Sequence, residues 1–64
     1  MPKYRDLTRR VELDGWRLAR TKGSHRIYKH PTKPGIVVIA GHPSKDVPRG
    51  LWLGILRQAG IAED

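Results

Sequence analysis

Residues 15–40, GWRLARTKGSHRIYKHPTKPGIVVIA, decide how this chain folds. Trp16 and Leu18 alternate with Arg17 and Ala19, the period-two pattern of a half-buried strand. The run SHRIYKH follows after only Lys22 and Gly23, a separation short enough for a hairpin, and Gly23 is free to take the positive φ that a tight turn needs. PTKPG at 31–35 marks the next turn, and the β-branched run IVVIA at 36–40 is the strongest strand signal in the chain. Three strands in succession predict an antiparallel meander.

The flanks read as helices. Tyr4, Leu7 and Val11 recur at helical spacing, which predicts a helix from about Lys3 to Leu13, with Gly15 placed to end it. Leu51, Trp52, Ile55, Leu56 and Ala59 repeat the pattern after an irregular connection, GHPSKDVPRG. Asp46 is the expected cap of that second helix, Pro48 suits its first turn and Gly60 its end. The expected architecture is therefore α+β, a small single domain over 1–64 in the order α-β-β-β-α. Its three-stranded antiparallel sheet needs cover on one apolar face, and both helices supply it.

Size limits how this domain is stabilised. A chain of 64 residues buries only about 60% of the surface its unfolded form exposes. With no cysteine it has neither a disulfide framework nor a thiolate metal site, which fits a reducing compartment. No apolar run approaches the roughly 18 residues of a membrane span, and MPKYRDLTRR lacks the apolar core of a signal peptide. A cytoplasmic protein without membrane contact is expected.

Thirteen Lys and Arg against six Asp and Glu give a net charge of +7, and the charges are segregated. From Gly15 to Lys45 there is no carboxylate, while Arg17, Arg20, Lys22, Arg26, Lys29, Lys33, Lys45 and all three histidines lie inside that window. Such segregation predicts a surface that faces a polyanion, with nucleic acid ahead of an acidic protein and a membrane surface last.

The histidines are the titratable candidates. His30 precedes Pro31 at a strand end and His42 precedes Pro43 in a loop, positions that fit structural or phosphate-contact roles. His25 begins a strand directly after Lys22, Gly23 and Ser24, where backbone N–H groups and a cation can receive a phosphate. Cations around it disfavour protonation, and a neutral imidazole is a competent general base. In RNA the proton to remove is that of the ribose 2′-OH, whose oxygen then attacks the adjacent phosphorus and expels the 5′-oxygen without a metal. Nearby Lys or Arg would stabilise the charge that builds on the phosphate. A histidine metal site is a poor reading, because no cysteine joins the imidazoles and cations crowd them. A Ser24 nucleophile is poorer still, since neighbouring strand residues point to opposite faces. Alternation groups His25 with Ile27 and Lys29, and Arg26 with Tyr28 and His30; if Tyr28 fills the core, His25 faces outward.

At this point the residues resemble a family. Gly15-Trp16, KGSHRIYKHP, KDVPRG and ILRQAGI, in this order and spacing from about Asp6 to Ile61, look like the HicA (YcfA-like) toxins of toxin–antitoxin pairs. The resemblance implies a double-stranded-RNA-binding-domain-like fold and an mRNA interferase that needs no metal or other cofactor. It implies that the histidine of the Gly-Ser-His motif, His25, is catalytic, and that a HicB-type antitoxin binds the toxin and masks it. The candidate RNA contacts are Lys22, Gly23, Ser24, Arg26, Lys29 and Lys45. The alternative is an RNA-binding module of the same fold without catalysis. Thr8 and Arg10 depart from the more apolar first helix usual in the family. Trp52 and Leu53 stand where a more polar pair is usual, which predicts a differently shaped antitoxin surface anchored by an exposed tryptophan.

Overall fold

Two buried residues one helical turn apart, Leu7 and Val11, define the inner stripe of the first helix, α1, Tyr4–Leu13, in a computed structural model that describes residues 2–62. The Asp6 carboxylate accepts the Lys3 N–H at 2.8 Å, satisfying a donor at the helix start. At the other end Gly15, at φ 109°, reverses the chain: its N–H bonds the Glu12 carbonyl and the Trp16 N–H bonds that of Val11. This left-handed C-cap turns Trp16 into the core. A Cβ on Gly15 would also lie 2.8 Å from His30 Nε2, so close approach as well as φ requires glycine here.

The strands follow as β1 Arg17–Lys22, β2 His25–Lys29 and β3 Val37–Ala40, an antiparallel sheet in the order β1-β2-β3. Lys22 pairs with His25 across a two-residue turn, with Gly23 at φ 61° and no positive φ at Ser24, as a type II′ hairpin requires. The second helix, α2, Arg49–Gln58, ends like the first: the Gly60 N–H bonds Arg57, the Ile61 N–H bonds Leu56, and Gly60 takes φ 70°.

One core joins the layers. Tyr28, Val37 and Ile39 from the sheet meet Leu7 and Val11 from α1 and Ile55 and Leu56 from α2, with Trp16, Val47, Ala59 and Ile61 closing the ends. Both helices thus cover the same face, in the α-β-β-β-α order expected, and the arrangement is consistent with a double-stranded-RNA-binding-domain-like fold.

Several local expectations give way to tertiary contacts. Asp46 does not cap α2: it accepts Lys3 Nζ at 2.6 Å, and the cap position is Pro48 with no side-chain bond. That contact belongs to a wider seam, where the Tyr4 N–H bonds Lys45, the Arg5 N–H bonds Pro43 and the Val47 N–H bonds Pro2, tying the β3–α2 loop to the start of α1. Leu18 and Leu51 were expected on buried faces, yet they are 51% and 42% exposed. Leu18 lies on the edge strand, every residue of which is exposed. Ile36 stays outside β3 and is exposed, whereas Trp52 packs half-buried against the core instead of standing free as an anchor.

Lys33 fastens the two helix ends together. Its Nζ donates to Asp14 Oδ2 at 2.5 Å and to the Ala59 and Gly60 carbonyls at 3.1 and 3.0 Å, so one cation meets the C-termini of both helices. That hydrogen bond above all holds the Asp14 carboxyl below its ordinary value, against the opposing effect of burial. A depressed folded value contributes stability above the unfolded value and loses it as pH falls through the folded one. Wild-type chain is therefore expected to melt higher than Asp14→Asn above about pH 4. The gap should narrow on further acidification, as thermal melts across a pH series will register; a gap independent of pH contradicts the coupling.

Candidate active site

Tyr28, 2% exposed, does fill the core, and the register then assigns every neighbouring side chain to a face. His25 faces outward and is exposed, at the start of the central strand. Across from it stand Lys22 on β1 and Ala40 on β3. The small Ala40 leaves that flank of the imidazole open, while Lys22 places an ammonium-bearing side chain directly opposite, with Cβ atoms about 5 Å apart for such a pair. Among the described residues no hydrogen bond or ion pair engages the His25 ring.

A bulge in β1 creates this juxtaposition. The pairing runs Arg17↔Lys29, Leu18↔Tyr28, then Arg20↔Ile27 and Lys22↔His25, with Ala19 left over. Strict alternation from Trp16 would have turned Arg20 and Lys22 toward the helices; the extra residue flips both to the outer face. The missed signal was energetic, since unbulged pairing would aim two unpaired cations at an apolar layer. Arg17, Arg20, Lys22 and Lys29 therefore share the face of His25, together with Ile27, which is only 9% exposed between Arg20 and Val38.

The predicted contacts do not all converge. Lys29 lies on the same face four residues along β2, about 13 Å away at strand rise. Gly23 and Ser24 form the turn beside His25. Arg26 stands on the opposite face, half-buried, its Nη2 donating to the Gly41 carbonyl at 3.1 Å. Lys45 lies on the loop joined to α1, outside the strand pair.

The other two imidazoles are held. His30 Nδ1 accepts the Thr32 and Lys33 N–H groups at 3.1 and 3.2 Å, which places its proton on Nε2, and that N–H donates to the Asp14 carbonyl at 2.8 Å. Its ring meets Trp16 edge-to-face at 5.3 Å. His30 therefore joins the β2–β3 turn to the end of α1. His42 Nδ1 binds Ser44, through the hydroxyl at 2.7 Å and the backbone N–H at 3.2 Å. Among the described residues no three His, Asp or Glu side chains are grouped to hold a metal ion.

A family model described as HicA toxin of bacterial toxin-antitoxin matches residues 4–61. The chain belongs to the HicA toxin family. Among curated proteins none matches it significantly. Membership makes it the toxin component of a toxin–antitoxin pair and implies an antitoxin partner. Among the described residues, no helix of this HicA chain is long and apolar enough to cross a membrane. On α1, Thr8 Oγ1 is buried with no partner among the described residues, and Arg10 Nη2 reaches the Ala62 carbonyl at 3.3 Å.

Proposed function

We propose that this HicA toxin is a metal-independent endoribonuclease that cleaves mRNA, with His25 as its general base. The observation that carries this reading is the exposed His25 imidazole on the basic outer face, opposite Lys22 and beside Ala40. An RNA strand laid on this face brings a 2′-OH to the imidazole, which takes its proton. The 2′-oxygen then bonds to the adjacent phosphorus, the bond to the 5′-oxygen breaks, and a 2′,3′-cyclic phosphate and a 5′-hydroxyl end result once that oxygen regains a proton. Lys22, with Arg20 diagonal to it, offsets the negative charge on the phosphate oxygens as they crowd phosphorus. Lys29 and Arg17 extend the grip along the strand, and Arg26 and Lys45 contribute charge from outside it.

Base catalysis by one imidazole supplies about 10²- to 10⁴-fold, so a slow enzyme is the expectation. No carboxylate of the described residues engages His25; Asp6, Asp14 and Asp46 are committed to Lys3 and Lys33. A HicB-type antitoxin that covers the outer sheet face would occlude His25 and neutralise the surrounding cations, which accounts for inhibition by contact alone.

Incubation of purified protein with single-stranded mRNA in excess EDTA tests the reading. Cutting that persists in EDTA and leaves cyclic phosphate ends is expected. RNA that is bound and never cut makes the protein a binding module, and cutting abolished by EDTA refutes the metal-independent route.

A further inference from the structure

A groove opens at the hairpin end of the sheet, reached from the face opposite His25. It holds about 330 Å³ and is lined by Gly23, Ser24, Arg26, Gly41, His42 and Pro43. None of its lining residues is acidic. Among the described residues Arg26 makes one side-chain hydrogen bond there, to the Gly41 carbonyl, while its Nε is buried without a partner. None of the ion pairs among the described residues includes Arg26. A half-buried guanidinium with no carboxylate calls for an anion, and its planar fork suits a phosphate. His42 adds a second donor. Because Nδ1 accepts the Ser44 N–H, the neutral ring carries its proton on Nε2, which is left free. Space is open at the Gly23 turn between the two faces, since nothing lies within 4 Å of where a Cβ would stand.

We infer that this groove is a second RNA subsite, in which Arg26 and His42 bind a phosphodiester flanking the one cleaved at His25. The inference rests on the ribonuclease reading. Ser24 lines the groove and His25 is its chain neighbour, so a strand crossing the slim Gly23-Ser24 turn passes directly from one site to the other. An acidic protein segment carries the same charge, but a fork with an adjacent imidazole donor fits the several oxygens of a phosphodiester better than one carboxylate.

The test is equilibrium binding of a single-stranded RNA oligonucleotide in the His25→Ala background, where cleavage does not intrude. Adding Arg26→Gln or His42→Ala is expected to weaken binding about tenfold each. Arg26→Gln should also lower the slope of log affinity against log salt by about 0.7, the contribution of one phosphate contact on a single strand, whereas His42→Ala leaves it unchanged. His42 is exposed, so its variant keeps the test valid even if Arg26→Gln disturbs the fold. Affinity and slope equal to those of the parent overturn the subsite and leave the His25 reaction standing. Loss confined to antitoxin binding assigns the groove to that protein and equally overturns it. A wild-type protein that neither binds nor cuts RNA refutes the ribonuclease reading itself.

Discussion

His25→Ala is expected to abolish measurable RNA cleavage and leave the fold intact. The imidazole is exposed and makes no hydrogen bond or ion pair among the described residues, so its removal should change stability by no more than about 0.5 kcal/mol, as for surface positions generally. Catalysis loses the group that accepts the 2′-OH proton, a fall of about 10²- to 10⁴-fold. RNA affinity should decline little, because Arg17, Arg20, Lys22 and Lys29 still carry the charge of that face. Lys22→Met should divide the effect differently. It removes a charge that grips ground state and transition state alike, so both binding and rate decline. Cleavage assays beside binding curves and thermal melts separate the cases. Retained cleavage by a folded His25→Ala protein contradicts the assignment.

Trp16→Ala is expected to unfold the chain. Trp16 is 1% exposed and is the largest fully buried side chain. Its Nε1–H donates to the Ala59 carbonyl at 3.1 Å, and its ring supports His30. Removing a buried tryptophan costs about 3–5 kcal/mol. At about 0.05–0.15 kcal/mol per residue, a chain of 64 residues has a total stability of similar size. Trp16→Phe separates packing from the hydrogen bond: it keeps most of the ring volume, and Lys33 Nζ still bonds Ala59, so a folded protein with a lowered Tm is expected. Circular dichroism melts of both variants decide the matter, and a cooperative, wild-type-like transition in Trp16→Ala contradicts this account of the core.

The element order was legible because three local signals agree: period-two alternation in β1 and β2, the β-branched run of β3, and glycines at 15, 23 and 60 where the chain must take positive φ. The outward orientation of His25 followed from a single choice, Tyr28 over Ile27 as the core residue of β2. What sequence concealed depends on pairing at a distance. The bulge at Ala19 is a property of two strands together, and only the register reveals that it brings Lys22 to His25. Asp46 has the chemistry of a cap, but α1 offers it the Lys3 ammonium instead. Sequence already set His30 apart from His25 by its place before Pro31, but not its partners: the Asp14 carbonyl and the Thr32 and Lys33 N–H groups occupy both of its nitrogens. Trp52 and Leu51 share a helical stripe, and only the packing of α2 decides that Trp52 meets the core while Leu51 stays in solvent.

On the proposed reading one basic surface both grips the RNA phosphates and presents the base, His25. The central claim is that the attacking oxygen is the ribose 2′-oxygen, deprotonated at His25. The most direct measurement first maps a cut in an all-ribose oligonucleotide, then replaces the nucleotide on its 5′ side by the 2′-deoxy form. Cleavage at that bond should vanish while the deoxy-substituted strand still binds and inhibits; continued cutting at the same bond would contradict the account.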